Sequence, residues 1–198
     1  EAAWMRRRGM PPSPIFYDRQ SAGGGPLIDL GVHVIDLLHW LMGNPSPVSV
    51  CAATFKSLAL RPDLYPPPHE GFLPDAYTVE DMAAGHIRFA NGALLAVKVS
   101  WMSEIEKTPP HVILGDRGGA EFAPRERCVI HTQMHDALVD IKPVIPEGGQ
   151  GRHRLLLDHF ARCAMGLEQP LITHEQMLTG MRLVEAMYRS AESGREVR

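Results

Sequence analysis

The chain has 198 residues, of which 44% are hydrophobic, so it is long enough to bury a core of its own as a single domain, residues 1–198. Its net charge of −3 comes from interspersed acidic and basic residues, which argues against a nucleic-acid partner because such partners need a basic face or stripe. No segment approaches the roughly 18 consecutive apolar residues of a membrane span, and three widely separated cysteines without a CxxC pattern favour a reducing cytoplasm.

The first quarter of the chain contains two predicted helices and a loop. The opening residues, EAAWMRRRG, are expected to form a short helix. The next stretch, GMPPSPIFYDRQSAGGG, is rich in Pro, Gly and Ser and is predicted to be a loop. A second helix is predicted from about Pro26 to Met42, because proline suits a first helical turn and Gly43-Asn44-Pro45 stops the helix.

The middle of the chain contains short runs rich in β-branched and aromatic residues, which we interpret as mostly antiparallel strands. The runs are PVSVCAATFKSLAL, MAAGHIRFA, ALLAVKVSWM, HVILG, AEFAP, CVIHTQM and ALVDIKPV. Asn91-Gly92 predicts a hairpin with a type I′ turn, in which both central residues have positive φ. The residues from Asp116 to Gly119 predict a second hairpin turn.

The proline-rich segment from Arg61 to Asp81 interrupts this pattern. A connection of that length in a compact domain is usually functional or irregular. A lid over an active site, an arm that binds a partner and a plain crossover are all open interpretations.

The chain ends in two predicted helices. The first, HRLLLDHFARCAMG, ends at Gly166, and the second begins near Thr173 and ends at Gly194. Four residues recur at helical spacing in the second helix and are expected to fill the core: Met177, Met181, Val184 and Tyr188. The order of helix, strands and two helices predicts an α+β fold, an open and mostly antiparallel sheet covered on one face by helices.

The predicted helix at 26–42 carries an unusual set of polar residues. At about 100° per residue, Asp29, His33 and Asp36 fall in one narrow stripe, and the leucines occupy the other side. Two carboxylates a turn either side of an imidazole can orient it, fix its tautomer and raise its pKa, which suits a histidine that transfers protons. His39 lies outside the stripe and is interpreted as a boundary residue.

Plainer interpretations of the stripe exist. A histidine on a helix is most often a surface residue or a satisfied core residue, and the helix dipole alone favours aspartate in a first turn. Carboxylate and imidazole one turn apart can also share a zinc ion, but no third ligand stands nearby, so we predict no metal site. The residue pattern alone leaves catalytic and structural roles open.

The segment GGGPLIDLGVHVIDLLHWLMG resembles the signature that opens the C-terminal domain of the Gfo/Idh/MocA family of NAD(P)-dependent oxidoreductases. That signature has a glycine-rich turn followed by Asp-x-Gly-x-His-x-x-Asp on a helix. Three further segments resemble the family in the same order: VEDMAAGHIRFANGALLAVKVSW, HVILGDRGGAEF and LVEAMYRSAESGREV. The resemblance therefore extends across essentially the whole chain.

The resemblance implies both a fold and a chemistry. In that family an N-terminal Rossmann domain binds NAD or NADP, and the C-terminal domain contributes an open sheet, part of the substrate site and a surface for oligomerisation. The enzymes transfer a hydride between nicotinamide and a carbinol carbon, typically of a sugar, polyol or related ring. On this sequence, His33 matches the catalytic histidine, Asp29 the aspartate that contacts substrate hydroxyls, and Asp36 a supporting acidic position. The implied partners are a carbohydrate-like substrate and further copies of the chain.

The dinucleotide site of that family is not found in this sequence. GGGP at 23–26 lacks the preceding strand and the third spaced glycine of the dinucleotide fingerprint. EKTPP at 106–110 only superficially matches the family's Glu-Lys-Pro motif, because Thr108 interrupts it and the segment lies between two strands. We therefore assign no cofactor-binding residue to this chain, and we interpret residues 1–22 as a segment that leads in from an absent Rossmann domain.

Two alternatives to a dehydrogenase are open. The chain can be a non-catalytic dimerisation or regulatory module, in which the polar stripe only stabilises an interface. It can also belong to a sugar epimerase or an NAD-dependent glycosidase, which use nicotinamide transiently and cause no net oxidation.

Without a dinucleotide cradle, the isolated 198-residue chain is expected to show no dehydrogenase activity and no measurable affinity for NADH. Titration of the chain with NADH, followed by the fluorescence of the nucleotide, tests this expectation. A saturable change in fluorescence would contradict the assignment of the cofactor to another domain.

Overall fold

The computed structural model describes residues 1–61, 74–123, 127–144 and 151–198. The predicted α+β class is confirmed, and the strands divide into two four-stranded sheets. The strands of the first sheet are β1 (Ala2–Met5), β2 (Pro47–Phe55), β3 (Met82–Phe89) and β4 (Leu94–Ser100). Those of the second are β5 (His111–Gly115), β6 (Gly118–Ala123), β7 (Arg127–Met134) and β8 (Ala137–Ile141). The spatial orders are β1-β4-β3-β2 and β5-β6-β7-β8, and every pair except β1 with β4 is antiparallel.

Three of the four α-helices of the described residues lie where the sequence predicts them, and the first, a single turn, lies in the segment predicted to be a loop. The four helices are α1 (Arg19–Ala22), α2 (Val32–Leu41), α3 (Arg152–Ala164) and α4 (His174–Ser193). A π-helical turn, Leu27–Gly31, leads directly into α2, so the predicted 26–42 helix begins with a widened turn. Among the described residues, no helix combines the length and the apolar character needed to cross a membrane.

The prediction of an opening helix is wrong. Ala2–Met5 is a strand, which pairs in parallel with β4 so that Ala2 lies opposite Val97 and Met5 opposite Ser100. Alanine, methionine and arginine are good helix formers, but intrinsic propensity is a weak prior that tertiary contacts override. Here the two alanines are buried in the sheet.

Two hairpin turns differ from expectation in their geometry. The hairpin at Asn91-Gly92 is confirmed, but only Gly92 has a positive φ, of 84°. The N–H of Gly92 donates to the carbonyl oxygen of Phe89 at 3.0 Å, as in a turn followed by a glycine bulge. Positive φ at two successive residues occurs instead at His135 (46°) and Asp136 (62°), between β7 and β8, where the sequence analysis predicted no turn.

The main core lies between the first sheet and the helices α2 and α4. Its fully buried large residues include Leu27, Leu30, Ile35, Leu38, Ile87, Val97, Val99, Trp101 and Met187. Val184 is buried as predicted, but Met177 and Met181 are wrong as core residues, because they are 56% and 48% exposed. The buried residues of α4 begin at Gly180, so only its later turns cover the sheet.

The proline-rich segment from Arg61 to Asp81 falls largely outside the described residues, which resume at Pro74. The interpretation of this segment as a lid, an arm or a crossover therefore stays a prediction. Its described end is well ordered by contacts, since Val79, Glu80 and Asp81 are buried.

Two glycines provide a test of this packing. A Cβ on Gly85 of β3 would lie 2.5 Å from the carbonyl oxygen of Cys51 and 2.7 Å from the Cβ of Ala52, whereas a Cβ on Gly180 of α4 would have no atom within 4 Å. Gly85→Ala is therefore expected to lower the free energy of unfolding by about 1–3 kcal/mol, and Gly180→Ala to raise it by about 0.5–1 kcal/mol. Urea denaturation measures the free energy of unfolding of both variants. If both substitutions changed it equally, Gly85 could not lie against Cys51 and Ala52, which would contradict the register of β2 with β3.

Candidate active site

A buried carboxylate, Glu80, holds the turn that precedes the polar helix. Its Oε2 accepts the N–H of Gly25 at 3.1 Å, and its Oε1 accepts the N–H of Leu27 at 3.0 Å and the hydroxyl of Tyr188 at 2.8 Å. The N–H groups at a helix start have no partner within the helix, and the helix dipole favours a negative charge there. Burial and the nearby charge of Glu80 raise the pKa of Tyr188, so its hydroxyl keeps its proton and donates.

The glycine-rich turn is crowded rather than open. A Cβ on Gly25 would lie 2.2 Å from the carbonyl oxygen of Glu80, and a Cβ on Gly24 would lie 2.0 Å from the hydroxyl oxygen of Tyr188. The N–H groups of Gly25 and Leu27 already bind a carboxylate, whose charge would repel a second anion. The residues at this turn therefore do not fit the diphosphate of a dinucleotide.

The next residue, Asp81, binds the segment that follows β2 and the residue that follows β4. Its Oδ2 accepts three consecutive N–H groups, of Ser57, Leu58 and Ala59, at 2.8, 2.7 and 3.1 Å. Its backbone oxygen accepts the N–H of Trp101 at 3.1 Å. Asp81 thus fixes both the end of β2 and the residue that follows β4.

Trp101 in turn orients the first predicted site residue, Asp29. The buried indole N–H of Trp101 donates to Oδ2 of Asp29 at 2.9 Å. The guanidinium of Arg6 lies 3.9 Å from the same oxygen. Asp29 is half-buried, and its negative charge is stabilised by a neutral donor and a cation at one oxygen.

His33 lies on the exposed side of α2, beside the indole of Trp4 at a ring-centroid distance of 6.1 Å. Among the described contacts, no hydrogen bond or ion pair joins His33 to Asp29 or Asp36, so the orientation of the imidazole by these carboxylates stays a prediction. The π-helical turn contains Asp29, so the regular 100° spacing does not hold between Asp29 and His33. Within the described residues, both ring nitrogens of His33 are without a protein partner.

The other two polar residues of α2 take different places. Asp36 is half-buried and, among the described contacts, forms no hydrogen bond or ion pair with His33, so its supporting role stays a prediction. His39 is wrong as a boundary residue, because it is buried, stacks on Phe89 at 5.5 Å and has Nε2 2.9 Å from the carbonyl oxygen of Pro45. His39 thereby ties the end of α2 to the loop that follows it.

His33 opens onto a cavity of about 700 Å³. The residues that line it with His33 are Ala3, Trp4, Val34, Leu37, Lys107, Thr108, Pro109, His111 and Ala123. The hydroxyl of Thr108 donates to the backbone oxygen of Met5 at 2.7 Å, which fastens this loop to β1. EKTPP does not match the family motif, and neither Lys107 nor Trp4 is among the site residues predicted from the sequence. No spacing in the sequence links these two residues, which lie near each other because β1 contacts the segment at 108–112.

A second concavity, of about 900 Å³, lies at the turns of the second sheet and contains none of the predicted site residues. Its His131 Nδ1 is 2.7 Å from Asp140 Oδ1, so the two groups satisfy each other. His135 lies in the turn after β7. Across the part of the chain that the structure describes, no three His, Cys, Asp or Glu residues are grouped to hold a metal ion.

Comparison with known proteins adds to this geometry. Residues 5–198 match the family model described as the Gfo/Idh/MocA oxidoreductase family, C-terminal alpha/beta domain. A curated relative, D-glucoside 3-dehydrogenase of Escherichia coli (strain K12), is 30% identical over 195 residues, which are 98% of this chain and 54% of that protein. The chain therefore spans about half the length of this relative.

Two solved structures share the fold. Levoglucosan dehydrogenase in complex with NADH and levoglucosan has a TM-score of 0.74 at 20% identity, over 98% of this chain and 56% of that one. Aldose-aldose oxidoreductase from Caulobacter crescentus, complexed with glycerol, has a TM-score of 0.72 at 24% identity, over 98% and 53%. At these identities the likeness concerns the fold alone.

The contact between Tyr188 and Glu80 gives a prediction for the start of the polar helix. Tyr188→Phe removes only the hydroxyl donor, and we expect it to lower the free energy of unfolding by about 1.5–3 kcal/mol, as for a hydrogen bond to a charged group. In a Glu80→Gln background the same change is expected to cost only about 0.5–1.5 kcal/mol. Urea denaturation of the four proteins of this double-mutant cycle measures the coupling. Equal losses in both backgrounds would show that the hydroxyl does not stabilise the carboxylate.

Proposed function

The chain belongs to the Gfo/Idh/MocA oxidoreductase family as a C-terminal α/β domain, and we propose that it forms the substrate wall of an enzyme that transfers a hydride between NAD or NADP and a carbinol carbon of a sugar, polyol or related ring. One observation carries the proposal: His33, whose imidazole has no partner within the described residues, opens onto a cavity. Asp29, four residues earlier in the same helical segment, is held in place by Trp101. D-glucoside 3-dehydrogenase, a relative over nearly the whole chain, supports a sugar substrate.

His33 is the proposed acid/base residue. When a carbinol is oxidised, its carbon loses a hydride, which nicotinamide accepts, and its hydroxyl loses a proton. Imidazole is the most common side chain for such a proton transfer. Because no described carboxylate or carbonyl occupies the ring nitrogens of His33, a substrate hydroxyl can reach either of them.

Asp29 is the proposed anchor for substrate hydroxyls. Its Oδ2 accepts the Trp101 N–H, and Arg6 lies near the same atom. Its Oδ1 has no hydrogen bond within the described residues and is available to accept one from a hydroxyl. A carboxylate that is already held by the core orients a ligand without losing conformational freedom of its own. Asp36 is proposed to act only indirectly, through the electrostatic field at α2.

The cofactor is assigned to a part of the protein outside this chain. The glycine-rich turn is filled by Glu80 and Tyr188, so this turn offers no cradle for a diphosphate. A separate nucleotide-binding domain is also consistent with the chain spanning only 54% of D-glucoside 3-dehydrogenase. The proposal covers NAD and NADP equally, because the choice depends on residues that contact the ribose.

Self-association through the second sheet is a further part of the proposal. Leu114 and Leu138 of this sheet are 85% and 92% exposed, and exposed apolar surface of this kind marks interaction sites. A second copy of the chain is the simplest partner for an open sheet. Light scattering on the purified protein is expected to give a mass above that of one chain, and Leu138→Lys is expected to lower it. A monomeric wild type would contradict this proposal.

The three unpaired thiols favour a reducing, cytoplasmic setting.

His33→Gln tests the proposed chemistry in the full-length protein. The substitution is expected to lower turnover by about 10²–10⁴-fold, the usual contribution of a general acid or base. The fold should persist because the side chain is exposed. Initial rates of NAD(P)H formation with a panel of sugars and polyols measure the loss, and thermal unfolding checks the fold. His153→Gln, an exposed histidine of α3, is the matched control. Full turnover in His33→Gln would instead favour a non-catalytic module.

A further inference from the structure

A buried histidine on the wall of the His33 cavity offers an unused hydrogen-bond donor. His111, at the start of β5, is only 4% exposed, and its Nδ1 accepts the N–H of Ala3 at 3.4 Å. Burial lowers the pKa of His111, so the ring is neutral at pH 7 and carries its proton on Nε2. Within the described residues, no acceptor pairs with that N–H. Buried polar groups in proteins are nearly always hydrogen-bonded, and His111 lines the cavity, so we infer that this N–H serves a ligand there.

The same cavity contains a cation without a counter-charge. Lys107 is an exposed residue that lines it, and no carboxylate among the described residues lies within 4 Å of its ammonium group. The lining contains no aspartate or glutamate. The loop itself is well positioned, because the hydroxyl of Thr108 is bonded to both the N–H and the oxygen of Met5.

The remaining walls of the cavity are apolar. They include the indole of Trp4 and the side chain of Leu37. A cavity of about 700 Å³ with apolar walls and a few convergent polar groups is typical of small-molecule sites. The hydroxyl of Thr108 is already bonded to Met5, so the donors that the lining leaves for a ligand are Lys107 and His111, and acceptor oxygens on the ligand match them.

We propose that this cavity binds an anionic oxygen group on the sugar substrate, a carboxylate or a phosphate ester distant from the reacting carbinol, and that Lys107 and His111 are the residues that select it. The inference rests on the proposed function only for the reaction itself, since His33 lines the same cavity. A charge-assisted hydrogen bond is roughly twice as strong as a neutral one, so an anionic sugar is favoured over its neutral counterpart. The N–H of His111 would orient the anionic group, and the ammonium group of Lys107 would supply the opposite charge.

Equilibrium binding to the full-length protein, without cofactor, tests this selection. Isothermal titration calorimetry compares methyl glucoside, methyl glucuronide and glucose 6-phosphate. At least one anionic sugar is expected to bind about tenfold more tightly than the neutral one, with a preference that falls as salt is added. Lys107→Gln is expected to bring the ratio of anionic to neutral affinities close to one. Lys142→Gln, the same change of charge at an exposed residue after β8, is the matched control and should keep the wild-type ratio.

His111→Gln gives a second measurement that does not depend on net charge. It is expected to weaken binding of the anionic sugar, and thermal unfolding of this variant checks that the buried site still folds. Of the two anions, the tighter one identifies the group, carboxylate or phosphate, that the cavity accepts.

The outcomes separate this inference from the proposed function. Equal affinity for neutral and anionic sugars, or a ratio that Lys107→Gln leaves unchanged, overturns the inference whatever the fate of the dehydrogenase proposal. A ratio that is lost in Lys107→Gln supports the inference, even if no sugar is oxidised and His33→Gln has no effect, in which case the proposed function alone fails.

Discussion

Two consecutive carboxylates, Glu80 and Asp81, hold together the elements on which the site depends. A buried charge is costly unless it is fully hydrogen-bonded, and each carboxylate here is satisfied mainly by backbone N–H groups. One dipeptide therefore fixes the start of the polar helix on one side and the end of β2 on the other, and neither contact can be lost without leaving buried donors unpaired.

The two principal site residues receive very different support from this scaffold. Asp29 is held through a short series of contacts that runs from the backbone of Asp81 to Trp101 and from its indole to the carboxylate. His33 has only the neighbouring ring of Trp4. The aspartate is thus held by the core, whereas the imidazole of His33 has no such support among the described residues. Under the proposed function, this difference would combine a fixed anchor with an adaptable acid/base group.

Much of the fold could be predicted from local sequence signals, because these report local structure. The helix stop at Gly43, the capping residues of α4 and the glycine of the β3–β4 hairpin each act within a few residues, and all are found in the structure. The opening strand could not be predicted, because its conformation depends on pairing with residues 97–100. The periodicity of α4 indicates which face of the helix is apolar, but it does not show where the sheet under that face ends. The prediction that Met177 and Met181 lie in the core is wrong for this reason.

The candidate site was predictable only in part, for a similar reason. The polar residues of α2 stand out in the sequence. Their predicted arrangement in one stripe assumes about 100° per residue, however, and the π-helical turn does not have that spacing. The cavity beside His33 is built from β1, the 107–111 loop and α2. No window of sequence contains all three. The polar residues of a single helix can therefore be identified from the sequence, but the shape of the cavity next to that helix cannot.

The parallel pairing of β1 with β4 also sets the order in which the protein assembles. Ala2 meets Val97, and closing so long a loop carries an entropic cost that local hairpins avoid. On the ribosome, at about 5–20 residues per second, β1 emerges some 5–20 seconds before its partner strand has been made. During that interval Trp4 and the alanines around it have no sheet to join, so the wall of the candidate site that comes first in the sequence is among the last parts of the molecule to become native.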